Sequence, residues 1–179
     1  MRKEIVLIRK WVIFFMICLF LSGLTAIPVE SELAFVSRLF PPVTSMGIWI
    51  DKVYEGVRNT NEKYPFIAYG YDWLAFAHFV LAILFIGVYK HPVRNKWVLE
   101  FGMIACLLII PFAFIAGYYR GIPVNWRLID CSFGVIGLLP LAFCLRKTNE
   151  LEHLQEEEAK QYRDAELSHL PPNENKIEK

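Results

Sequence analysis

The chain is short of the residues on which most soluble chemistry depends, and each shortage removes a class of function. It has four cysteines, Cys18, Cys106, Cys131 and Cys144. Each falls inside an apolar run and no two stand in CxxC spacing, which takes away the usual case for a zinc site or a dithiol redox centre. Such cysteines read first as small, polarizable packing residues. The sequence contains no Gly-rich phosphate loop, no HExxH and no GxSxG elbow, so it calls for no metal and no cofactor. The net charge is +1, and the Lys and Arg residues are scattered at the ends of apolar runs with no contiguous basic face, which excludes an electrostatic nucleic-acid binder.

What the chain has in excess is apolar sequence, 55% of 179 residues. It falls in four runs: Trp11–Ile27, Trp73–Tyr89, Phe101–Tyr119 and Leu128–Leu145. A bilayer core of about 30 Å demands stretches of about 20 apolar residues, whereas a water-soluble domain of this size has no use for four that are apolar on every face. The expected fold is all-α, an integral membrane four-helix bundle with spans at about 11–27, 73–89, 98–119 and 128–145. These divide the chain into a cytoplasmic N-terminus (1–10), a transmembrane domain (11–147) with an outer loop at 28–72, and a polar cytoplasmic tail (148–179).

Charge sets the orientation. Arg2, Lys3, Arg9 and Lys10 precede the first span, Lys90, His91, Arg94 and Lys96 follow the second, and Arg146 and Lys147 follow the fourth. By the positive-inside rule both termini are cytoplasmic in a multi-pass protein of the cell membrane, with Arg120 and Arg127 as the outer exceptions. Ser22, Gly23 and Ala26 also fit the end of a secretory signal. Retention is favoured because the apolar stretch exceeds the 7–15 residues of a signal core and no A-x-A site precedes Pro28.

The outer loop is too long and too patterned for a linker. Ser31 reads as the N-cap of a short helix over Glu32–Phe40 that the Pro41-Pro42 pair stops. Ile50, Val53, Tyr54 and Val57 then recur at i, i+3, i+4, i+7 opposite Asp51, Lys52, Glu55 and Arg58, an amphipathic helix suited to the outer membrane surface with Trp49 and Tyr54 at headgroup depth. It serves as a structural cap or as a lid. Beyond Lys147 the chain turns polar, with Glu156, Glu157 and Glu158 in a row and a sparse apolar pattern of Leu151, Leu154 and Tyr162. The last helix is expected to continue a few turns, and the end from Ser168 through Pro171-Pro172 to be disordered for lack of anything to bury.

Ionisable groups inside a span are costly and tend to face protein. His78 lies between Ala75 and Ala82, with Tyr71 further along the same face. Asp130, Gly134 and Gly137 form a similar stripe, and Gly102, Cys106, Ile109, Ala113 and Ala116 form a third that leads to Arg120. Arg127 is one turn before Asp130 and in register to pair with it. These residues make a candidate ligand-binding cluster in the outer half of the bundle, Tyr71, His78, Arg120, Arg127 and Asp130, with Asp72 at its rim; His78 and Asp130 are the candidate catalytic groups. On the structural reading the Arg and Asp form an ion pair that fixes register, and His78 bonds to backbone or a hydroxyl. Glu100 with Lys96, and His91 before Pro92, read as solvated, while Pro111 and Pro140 are sites for a kink.

In size, cytosolic termini, structured first outer loop and polar groups inside four spans, the layout resembles that of small sterol-isomerase-related and sigma-2-receptor-like membrane proteins. The resemblance implies that a bundle of this length has room for a lipophilic ligand, and it assigns no residue. Two functions are therefore carried forward. One is a small multi-pass protein acting through helix packing or partner binding, with a membrane protein or a second copy as partner. The other is a membrane-embedded enzyme or binder of a lipophilic or amphiphilic small molecule. No motif decides between enzyme and non-enzyme.

Overall fold

The computed structural model describes residues 2–40 and 42–169. The chain is 90% helical, with no strand among the described residues. Its elements are α1 (Arg2–Ala26), α2 (Val29–Leu39), α3 (Ser45–Lys63), a 3-10 turn (Pro65–Ala68), α4 (Tyr69–Leu84), α5 (Ile86–Lys90), α6 (Lys96–Tyr119) and α7 (Val124–His169). Four segments are long and apolar enough to cross a membrane: Lys3–Ala26, Pro65–Lys90, Lys96–Tyr119 and Val124–Leu167. Their outward side chains are large and apolar, as at Phe112, Phe133 and Leu139, which are 71%, 66% and 69% exposed. A surface of this kind is at home in lipid, where only closed backbone hydrogen bonding such as that of a helix is tolerated, and it marks a membrane-embedded protein.

Two compact units make up the chain, Val12–Gly87 and Met1–Trp11 with Val88–Lys179. In the first, α1 and α4 meet through ring pairs, Phe15 with Phe85 at 4.9 Å and Phe20 with Phe79 at 5.0 Å between centroids. They also approach so closely at Gly23 that an added Cβ would stand 2.9 Å from the Ala75 carbonyl oxygen. Phe85 keeps helical backbone between α4 and α5, so the second span runs on across the break.

The outer loop is ordered, as its patterning predicts, with one correction. The first short helix begins at Val29, not after Ser31. Pro28 stands at the N-cap with its φ held at −88°, and its carbonyl accepts the Glu32 N–H at 3.0 Å, so the helix is already under way when the chain reaches the exposed Ser31. The helix stops at Leu39, and Phe40, the residue before a proline, is extended. In α3, capped by the Thr44 hydroxyl accepting from Gly47 N–H at 3.0 Å, Ile50 is buried and Val53, Tyr54 and Val57 are half-buried, while Lys52, Glu55 and Arg58 are exposed and Asp51, expected on the exposed side, is half-buried. That is the amphipathic face the spacing predicts. Asn61 on α3 donates to Glu30 on α2 at 2.7 Å and fastens the two helices.

The second unit is organised by α7. This helix runs unbroken through Pro140 for 46 residues, roughly 69 Å. Ser168 and His169 belong to it, so the expected disorder does not start at Ser168; the rest of that expectation, from residue 170 on, lies outside the described residues. The start of α1 packs against α7, with Trp11 and Phe143 at 5.8 Å and Cys144 Sγ 3.9 Å from the Ile8 carbonyl. Lys96 at the head of α6 pairs with Glu152 of α7 at 2.7 Å. Nearby, Thr148 is fully buried and its hydroxyl has no hydrogen-bond partner among the described residues. A buried unpaired hydroxyl costs about 1–3 kcal/mol. Thr148→Val, which keeps the shape and removes that group, is therefore expected to leave stability unchanged or raise it, read as the thermal unfolding midpoint of the detergent-solubilised protein.

Candidate functional site

The candidate residues fall into two sets: Tyr71, Asp72 and His78 in the unit Val12–Gly87, and Arg120, Arg127 and Asp130 in the other. His78 is half-buried on α4, with Nδ1 2.8 Å from the Leu74 carbonyl oxygen one turn back. A carbonyl only accepts, so in this bond Nδ1 is the donor. The small residues beside it are buried, Ala75 to 1% and Ala82 to 6% exposure. A Cβ on Gly23 would come within 2.9 Å of His78 Cβ, so α1 seats directly on this face of α4. Gly23, read in the sequence as part of a signal-like end, is thus a helix-contact residue. Its position as the lone glycine of the first span was the available signal.

Tyr71 is half-buried and lines a cavity of about 310 Å³ with Gly56, Val57, Thr60 and Asn61 of α3. Asp72 is exposed and lines a different hollow of about 220 Å³ with Tyr69, Trp73 and Phe76. The two neighbours on α4 therefore serve different surfaces.

The α6–α7 turn is built by backbone chemistry. Gly121 has φ of 65°, a conformation that glycine reaches without the cost a Cβ imposes. With it in place, Ile122 N–H donates to the Gly117 carbonyl at 2.9 Å and Gly121 N–H to Tyr118 at 3.2 Å, the paired bonds of a Schellman C-cap. Arg120 is the exposed residue that caps α6, its N–H donating to Ala116. Arg127, half-buried in the first turn of α7, donates from Nε to the Ile122 carbonyl at 2.8 Å. Its stem lies over Gly117, where an added Cβ would fall 2.7 Å from Nε.

That geometry corrects one expectation. Arg127 is in register with Asp130, but the Schellman turn presents a carbonyl to the guanidinium and α6 leaves a glycine-sized seat for the stem, so the side chain points back across the turn. Among the described residues no ion pair includes Asp130, which is half-buried. The small faces of the two helices do meet: an added Cβ on Gly134 would stand 2.5 Å from the Cys106 carbonyl oxygen and 3.4 Å from Ile109 Cβ.

No protein-family model, curated protein or solved structure matches this chain.

The turn yields a direct test. Gly121→Ala meets open space but keeps the positive φ, and is expected to cost about 1 kcal/mol through backbone strain alone. Arg127→Gln loses a charged donor to a carbonyl and is expected to cost about 1.5–3 kcal/mol. Denaturant titration in mixed micelles, followed by circular dichroism, measures both.

Proposed function

We propose that this is a small multi-pass protein of the cell membrane, a four-helix bundle that works through helix packing and binding to a membrane partner or a second copy of itself. The observation that carries this reading is the use to which the span-embedded polar groups are put. His78 is bonded to its own helix backbone, Arg127 is bonded to the Ile122 carbonyl, and each sits where a glycine brings a neighbouring helix close. These are fastening roles. The long α7, exposed at every residue from His153 to Leu167, offers surface to a partner outside the membrane.

Both termini belong on the cytoplasmic side in this reading. Support comes from the basic clusters, which gather in one unit: Arg9 bonds to the Tyr89 carbonyl at 3.0 Å, and Lys96 pairs with Glu152 just beyond Arg146 and Lys147. Three charged helix ends at one level is the pattern the positive-inside rule describes.

A second reading, a membrane-embedded enzyme or binder of a lipophilic small molecule, draws on the cavity at Tyr71 and on Asp130, which has no ion pair among the described residues. The two readings separate in one experiment. On the packing account Asp130→Asn and His78→Ala change the melting temperature or the oligomeric state seen by native mass spectrometry, and remove no chemical step. Turnover of a lipophilic substrate by the purified protein, lost on either substitution, overturns that account.

A further inference from the structure

At the basic end of the second unit the structure leaves a cavity of about 340 Å³, lined by Arg9, Lys90, His91 and Arg94 and by the apolar Ile5 and Leu151. Among the described residues no Asp or Glu lines it. Nearby carboxylates are already engaged: Glu150 holds Arg146 and Lys147, and Glu152 holds Lys96. Among the described residues none of the cavity's cations takes part in an ion pair. One of them is held in place beforehand, since Arg9 donates from Nε to the Tyr89 carbonyl at 3.0 Å and its guanidinium lies 5.2 Å from the centre of the Tyr89 ring. A planar fork held by its Nε side keeps its terminal N–H groups for bidentate contact with a phosphate at little further loss of freedom.

The cavity's place along the chain says where that phosphate comes from. His91–Arg94 lie in the connection between the spans that end at Lys90 and begin at Lys96, so the basic wall stands where the hydrocarbon ends. Trp11 and Trp97, exposed beside Lys10 and Lys96, are suited to the same depth. Lipid phosphates are concentrated at this level.

We infer that this cavity binds a phosphate group, presented by the headgroup of an anionic phospholipid in the leaflet at the basic end of the protein. The site rests on the four membrane spans and is independent of whether the protein acts by packing or by chemistry. Its recognition is by charge and fork geometry, so anionic phosphatidylglycerol is preferred to zwitterionic phosphatidylcholine, and binding weakens with salt.

The test is native mass spectrometry of the full chain in a neutral detergent, titrated with phosphatidylglycerol or phosphatidylcholine. The expected result is one phosphatidylglycerol per chain retained in preference to phosphatidylcholine. Apparent affinity should fall about fivefold for each cation removed in Arg9→Gln and Arg94→Gln. Lys3→Gln/Lys10→Gln, whose charges line a separate hollow, should leave it unchanged. Because Arg9 also ties two helices, the exposed pair Lys90→Gln/Arg94→Gln keeps the test open if Arg9→Gln fails to fold. A parallel arm adds inorganic phosphate: displacement of the lipid only at far higher concentration supports a headgroup site, while equal competition assigns the cavity to a soluble phosphate and overturns the lipid source. Equal retention of the two lipids, or an equal loss in Lys3→Gln/Lys10→Gln, overturns the site itself.

Discussion

Lipid tails are as apolar as leucine, so burying apolar side chains between helices gains little inside a bilayer, and the helices must find another reason to associate. Here that reason is close backbone approach at glycines. Gly23 lets α1 reach the Ala75 carbonyl and the base of His78; Gly134 lets α7 reach the Cys106 carbonyl; Gly117 makes the seat for the Arg127 stem. Each contact replaces a lipid neighbour by a closely fitted protein one, with dispersion contacts between helices as the return. The polar groups depend on these approaches, because Arg127 reaches the Ile122 carbonyl only where α6 has no side chain in the way.

At the basic end a different force is at work. Beyond the hydrocarbon, charges are solvated and pairing is worth little by itself, yet pairing decides which cations are left over. Glu150 and Glu152 engage the basic groups next to them on α7 and at the head of α6, whereas Arg9, Lys90 and Arg94 surround a hollow without a counter-charge among the described residues. An uneven distribution of a nearly neutral total, +1 over the chain, is what gives this end its affinity for an anion.

Much of the fold was legible because it obeys single-helix rules. The four spans follow from run length, and the α3 face from the i, i+3, i+4, i+7 recurrence of Ile50, Val53, Tyr54 and Val57, whose burial needs no knowledge of the partner. Errors arose where two local signals compete or where the partner is remote in sequence. Ser31 is a good cap residue, but Pro28 fixes the backbone earlier, and a propensity rank cannot weigh one against the other. Arg127 has an acid in perfect register, but its actual acceptor exists only after Gly121 turns the chain. Gly134 and Cys106 were legible as members of small faces, and the sequence is silent on which carbonyl each face meets. The cationic cavity was invisible for a related reason: its cations were recognised as markers of orientation, and only the packing of α1, the α5–α6 connection and α7 brings them around one space.

The dependence of the fold on close glycine contacts is tested most directly by alanine at glycines of opposite surroundings. Gly134 and Gly23 have no room for a Cβ, whereas Gly56 on α3 has nothing within 4 Å. In equilibrium unfolding from mixed micelles, Gly134→Ala and Gly23→Ala are predicted to lose about 1–3 kcal/mol, and Gly56→Ala to gain up to about 1 kcal/mol from its better helix propensity. A shift of the same sign at all of these positions would contradict the account.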